Sequence, residues 1–191
     1  MKISQIIDKI DERQLFVPAF QREYVWKRQN AKDLISSLIQ DYPTGTMLTW
    51  ETNYPPELKG EHKYDPRQGA VKLILDGQQR ITTLYMLMTG SIPPYYKPHE
   101  ILVDIRNLYV NVETLALEYY KSTIMDNDPL WVNLTHIFQS KIRYRDVIDR
   151  LESMHDGERI SRERENCIDD NFRAIERIKD REFQEQIIPP K

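Results

Sequence analysis

The stretch Leu73-Ile-Leu-Asp-Gly-Gln-Gln-Arg-Ile-Thr-Thr-Leu84 runs three apolar residues into Asp-Gly, then sets two glutamines and an arginine at the head of a second apolar run. Val71 to Leu75 read as a short, fully buried strand, and Ile81, Leu84, Tyr85 and Met88 mark the stripe of a helix that stops near Gly90. The polar cluster therefore falls at a strand-to-helix junction. A helix start leaves backbone N–H groups without intrahelical partners and carries the positive end of the dipole, which suits an anion. Gly77 lets the backbone approach a bound group closely, Arg80 offers a planar fork of donors, and Gln78 and Gln79 supply neutral donors or orient a water. A second reading stays open on spacing alone: Asp76 as N-cap, with Gln79 reaching back in a capping box.

Upstream, Ile3, Ile6, Ile7 and Ile10 recur at helical spacing over residues 3–10. Leu15 to Trp26, interrupted by Pro18, reads as an edge strand or ordered loop on which Arg22, Tyr24 and Trp26 would share one face. A helix over 28–41 carries Leu34, Ile35, Leu38 and Ile39 and ends before Pro43; Thr44 to Glu51 suit a turn and a strand; residues 53–69, with three prolines and two glycines, read as a surface loop. Downstream, Ile101–Ile105, Leu108–Val112 and Ala116–Tyr120 are strand candidates, the last two forming a hairpin. Beyond Trp131 two helical stripes appear, Val147, Ile148, Leu151 and Met154, then Ile168, Phe172, Ile175 and Ile178, each narrow and set in a charged surface. The predicted organisation is a domain over 1–140 and a helical extension over 141–191, either loosely packed or a docking surface, that starts or links to a further C-terminal region.

Composition excludes several classes. Cys167 is the single cysteine, too few for a disulfide framework or a thiolate zinc site, and it lies in a charged helical segment where it reads as an incidental small residue. His62, His99, His136 and His155 show no metal-ligand spacing. With a net charge of −3 the chain has no global footprint for nucleic acid. Lys141, Arg143, Arg145 and Arg150 cluster, but Asp146 and Asp149 interrupt them, as on a solvated helix face. The sequence shows neither a membrane-spanning apolar run nor a signal-peptide core, so a cytoplasmic location without a membrane partner is expected.

Phe16-Val-Pro-Ala-Phe-Gln-Arg-Glu-Tyr-Val-Trp26, Tyr42-Pro-Thr-Gly-Thr46 and Asp76-Gly-Gln-Gln-Arg-Ile-Thr-Thr-Leu84, in that order, resemble the N-terminal domain of GmrSD-type modification-dependent restriction endonucleases. The resemblance covers residues from about 1 to 140. It implies an α+β fold, a ParB/sulfiredoxin-like mixed-sheet domain, and a role in defence against phage DNA carrying modified bases. It also implies that a separate nuclease domain or subunit does the cutting, since no histidine-metal nuclease motif occurs here. Where sulfiredoxins carry a catalytic cysteine this chain has Gln78, which excludes sulfinic-acid repair. Where ParB proteins carry G-E-R-R, Gly77-Gln-Gln-Arg80 loses one charge, so the nucleotide preference does not carry over.

Junction and resemblance together give the expectation of an NTP-binding and NTP-hydrolysing regulatory domain, the NTP unspecified. Gly77, Gln78, Arg80, Gln21, Arg22 and Thr82 would bind nucleotide, Gln79 and Asp76 would be catalytic, and Asp76 would hold magnesium. The alternative is a non-catalytic module that binds DNA or senses a modified base through Arg22 and Arg80.

Overall fold

The computed structural model describes residues 1–61 and 63–190; His62 and Lys191 lie outside the described residues. In chain order the elements are α1 (Ile3–Asp11), β1 (Leu15–Phe16), α2 (Arg28–Ile39), β2 (Thr46–Thr52), β3 (Val71–Asp76), α3 (Gln78–Thr89), β4 (Leu108–Asn111), β5 (Leu117–Tyr119), α4 (Ser122–Met125), β6 (Trp131–Asn133), α5 (Leu134–Phe138), α6 (Tyr144–Met154), α7 (Arg162–Glu176) and β7 (Gln184–Ile188). The architecture is α+β. One sheet is mixed, in the order β1-β3-β2-β7, with β2 antiparallel to β3 and the two outer strands parallel to their neighbours. The other is antiparallel, β5-β4-β6.

At the centre lies α3. Its expected stripe is buried, and so are Thr82, Thr83, Met86 and Leu87 on its other faces. A helix buried all round needs its polar groups matched inside, and beyond its first residue these are. The Thr82 hydroxyl pairs with that of Tyr95 at 2.9 Å, Thr83 with Tyr24 at 2.8 Å, and Gln139 donates to the Thr89 carbonyl at the helix end at 2.8 Å. Around it, Ile3, Ile6, Ile7 and Ile10 of α1 and Ala31, Leu34, Ile35 and Leu38 of α2 turn inward at the spacing their sequence predicts.

Three expectations change on contact with the structure. Ile101–Ile105 form no strand. Asp104 instead closes a local turn, its carboxylate accepting from the Arg106 amide at 3.0 Å and from the Arg106 guanidinium at 2.9 Å, while Leu102 faces solvent. Side-chain-to-backbone bonding of this kind competes with a strand ladder. Residues 17–27 are irregular, so strict alternation fails: Tyr24 is buried, Arg22 exposed and Trp26 half-buried.

The third concerns residues 141–191. The narrow stripes of α6 and α7 are used but for one residue: Val147, Ile148, Leu151, Ile168, Phe172 and Ile175 join the same core as α1 and α3, with Met154 alone of the predicted set exposed. The region is helical as expected through α6 and α7, and after them residues 184–188 add β7, in register with β2 from Thr46↔Gln184 to Trp50↔Ile188. Chain start and end are laced together by Phe183 N–H to the Met1 carbonyl and Ile3 N–H to the Arg181 carbonyl, both 2.9 Å.

Candidate functional site

The register of β2 against β3 runs from Thr49↔Ile74 to Leu48↔Asp76 and so skips Leu75. Such a bulge bends a strand at its end and leaves one residue out of the ladder. The Leu75 carbonyl accepts instead from Gln21 Nε2 at 2.8 Å. Two residues later Gly77 (φ +94°) is the N-cap of α3. Among the described residues no side chain caps the first-turn amides, and no acidic residue lies in that turn. The capping-box reading therefore does not hold: Asp76 precedes the cap, is largely exposed, and stands 3.5 Å from Arg80.

The helix start opens into a cleft of about 130 Å³ lined by Gln21, Arg22, Trp26 and the run Asp76 to Arg80. Several waters or one phosphate group fit that volume, given the roughly 30 Å³ that a water occupies in the liquid. Gln21, Arg22, Asp76, Gly77, Gln78, Gln79 and Arg80, separated by half a hundred positions in the chain, are thus brought to one place. Thr82 is not. It is fully buried one turn further along and bonded to Tyr95, so its expected contact with nucleotide is corrected.

Two of the assembled residues are engaged otherwise than expected. Gln79 spends both ends of its amide on the backbone of the 21–26 segment, Oε1 accepting from Val25 N–H and Nε2 donating to the Glu23 carbonyl, each at 2.9 Å. It imitates a strand partner for that segment, so each end of the amide keeps only its second hydrogen-bonding position. Arg80 does use its fork, but on protein: one amino group donates to the Thr44 carbonyl and the other to that of Thr46, the latter at 2.8 Å. The turn that carries these carbonyls must come close. A Cβ at Gly45 (φ +88°) would collide with the Arg80 guanidinium, which explains why glycine sits within Tyr42-Pro-Thr-Gly-Thr46.

Gln78 is buried, its Nε2 donating to the Tyr96 hydroxyl while its Oε1 has no partner among the described residues. An orphaned buried acceptor is costly, roughly 1–3 kcal/mol. Burial holds the Tyr96 phenol well above its ordinary pKa, helped by the neighbouring Tyr95, Glu23 and Glu100, so it stays protonated and able to donate. Tyr24 beneath is pushed up to about 12 by burial, partly offset by its bond to Thr83.

The guanidinium of Arg22 has neither an ion pair nor a hydrogen bond among the described residues. Among those residues no group of three or more histidine, cysteine, aspartate or glutamate side chains could hold a metal by itself. Cys167 is exposed, far along the chain from the cleft residues on α7. Sequence reasoning missed Lys59 and Tyr96, which hold the Arg22 carbonyl. Both lie in stretches whose prolines and glycines signal surface loops, and only Gly60 hinted at a close approach.

A mixed sheet with a buried central helix, whose uncapped start faces a small polar cleft, defines an α+β domain with its site at a strand-to-helix junction. The chain belongs to the family of GmrSD restriction endonuclease N-terminal domains, whose model matches residues 3–189. The family is described by the restriction endonucleases of which it is the N-terminal domain. It is also 34% identical over 115 residues to an uncharacterized protein of Methanocaldococcus jannaschii, a match covering 54% of this chain and 20% of that relative's length. Among the described residues, no helix is long and apolar enough to cross a membrane.

Proposed function

We propose that the cleft at the start of α3 binds the phosphates of a nucleoside triphosphate and hydrolyses it, within a phage-defence protein that acts on DNA through a separate nuclease domain or subunit. One observation carries this reading: a twelve-residue helix whose first turn has neither a side-chain cap nor an acidic residue, opening directly into a polar cleft. The amides of the first turn supply neutral donors, Arg22 supplies an exposed charge, and Arg80 contributes a fixed one while it clasps the 44–46 turn.

Hydrolysis needs a water held in line with the transferred phosphoryl group. Gln79 is committed to backbone, so this role falls to Gln21, which donates its NH₂ to Leu75 and keeps its Oε1 as an acceptor at the cleft. Magnesium suits the donor set in one respect. It is commonly held by one or two carboxylates together with substrate phosphates and waters, and Asp76 is the exposed carboxylate lining the cleft. When bound, the ion would neutralise phosphate charge. The ParB-like ancestry inferred from the motifs accords with a phosphate site at this junction.

A second reading has its own support: Phe20, 68% exposed beside Gln21 and Arg22, offers a ring on which a base of DNA, modified or not, could stack. Incubating the chain with each NTP and magnesium, and measuring phosphate release, tests the first reading. Release for at least one NTP supports it, and absence of both release and calorimetric binding overturns it. Binding of DNA alone would favour the second. The chain by itself is expected to cut no DNA, and a magnesium-dependent cleavage ladder absent from a mock preparation would refute that.

A further inference from the structure

Residues 21–26 have no ladder of their own, yet they deliver Arg22 to the cleft, so something else must fix their path. Gln79 and Gln21 hold them from the side of α3 and β3. On the far side stands Lys59. Its ammonium, on a residue only 8% exposed, donates to the Arg22 carbonyl at 3.2 Å and to Glu23 Oε1 at 2.7 Å, and lies 5.0 Å from the centre of the Tyr96 ring. The Tyr96 hydroxyl also points to the Arg22 carbonyl, at 3.4 Å, and receives the Gln78 amide.

Local structure brings Lys59 there. Residues 57–59 run against 17–19 through Ala19 N–H to the Glu57 carbonyl and Lys59 N–H to that of Val17, both 2.8 Å. Next comes Gly60, at φ +73°, where a Cβ would lie 2.6 Å from the Pro94 carbonyl oxygen and from the Tyr95 Cα. Only glycine permits that approach, which locks the loop bearing Lys59 to the loop bearing Tyr96. A buried ammonium is costly unless paired, and here its partners are Glu23, a backbone carbonyl and an aromatic face. Glu23 keeps most of its side chain in water, so little of the arrangement looks designed for stability alone.

We propose that Lys59 is a positioning residue of the cleft, acting through Arg22: by holding the Arg22 carbonyl together with Tyr96, it aims the Arg22 guanidinium at a bound phosphate. The proposal rests on the nucleotide reading above. A contact that acts through Arg22 must lose its effect when Arg22 is absent, and a double-mutant cycle measures that dependence.

The probes are inorganic tripolyphosphate and the NTP that binds the wild type best, titrated calorimetrically against wild type, Lys59→Met, Arg22→Ala and the double variant. Lys59→Met keeps the apolar stem and removes the charge. The expected result is affinity weakened about fivefold by Lys59→Met in the wild-type background and less than about twofold in the Arg22→Ala background. Tyr96→Phe, which keeps the ring under Lys59, should show the same dependence with a smaller effect and serves if Lys59→Met does not fold. Equal weakening in both backgrounds makes Lys59 merely structural and overturns the proposal, as does wild-type affinity in a folded Lys59→Met and Tyr96→Phe pair while Arg22→Ala is weakened. Failure of the wild type to bind either probe removes the nucleotide reading first, and this inference with it.

Discussion

Two helices of this protein begin in opposite ways. α7 starts at Ser161, whose hydroxyl accepts from the Arg164 amide at 3.2 Å, and its first turn carries Glu163 and Glu165 against the positive end of the dipole. α3 starts at a glycine with no side-chain cap, no acidic residue in its first turn and an arginine instead. Side chains of the right kind at helix starts stabilise by about 1 kcal/mol for a cap and 0.3–1 kcal/mol for a charge. α7 takes both contributions; α3 forgoes both. α3, at the centre of the core, goes without the contributions that α7 takes, and its start faces the cleft, which is the contrast on which the nucleotide reading proposed above rests.

The largest effect expected from breaking this contrast lies at Arg80. Because its fork holds the Thr44 and Thr46 carbonyls, Arg80→Ala removes two hydrogen bonds from a charged donor, each about 1.5–3 kcal/mol. We expect a cost of about 3 kcal/mol, seen as a melting temperature lower by about 6–12 °C, with any loss of nucleotide binding accompanied by this loss of stability. Arg80→Lys cannot span both carbonyls and should recover only part. An Arg80→Ala protein that melts with the wild type but no longer binds nucleotide would instead make phosphate the primary partner of Arg80.

Arg22→Ala is the sharper probe of the open helix start. The side chain is exposed and has no ion pair or hydrogen bond among the described residues, so stability should change by less than about 0.5 kcal/mol. Loss of a charge-assisted phosphate contact should weaken NTP affinity about tenfold, read by titration beside a thermal melt. Unchanged affinity would leave the uncapped start of α3 without its principal charged ligand. Ser161→Ala at the capped start should behave in reverse: about 1 kcal/mol less stable, with nucleotide affinity untouched. If it altered affinity, the two helix starts would be coupled, and the contrast between them would lose its meaning.

How much of this was legible in the sequence differs by type of interaction. The isoleucines of α1, the hairpin of β4 and β5 and the strand-to-helix junction follow from local periodicity and turn chemistry, and they stand. The gathering of Gln21, Arg22 and the Asp76–Arg80 run was legible only through the resemblance of three separated motifs, since spacing cannot show that Gly45 makes room for Arg80. Tyr95 and Tyr96 were illegible because prolines mark a turn without saying whether it is buried. Gln79 misled for a related reason: a long amide beside a helix start suits a phosphate, a water or a neighbouring backbone equally, and only the path of residues 23–25 decides. β7 was hidden because Gln184-Glu-Gln-Ile-Ile188 has no clean alternation, and its partner β2 lies at the other end of the sequence.

The smallest expected effect concerns that last strand, which closes the sheet from whose far strands α3 sets out. Glu185 reaches across β2, accepting from Thr49 Oγ1 at 2.8 Å and from Lys72 Nζ on β3 at 2.9 Å. Burial pushes its carboxyl up, but the bonds from Lys72 and Thr49 and the charge of Lys72 outweigh it, so the folded-state pKa lies below the ordinary glutamate value. A carboxyl lowered on folding contributes stability that is fully present above its unfolded pKa, about 4.3, and is lost as pH falls through the folded value. Urea melts of wild type and Glu185→Gln between neutral pH and the acid limb should therefore differ most at neutral pH, by about 1 kcal/mol, and converge as the medium becomes more acidic. Parallel curves would show that the Glu185 carboxyl titrates alike in the folded and unfolded protein, so that its ties to Thr49 and Lys72 add no charge-dependent stability.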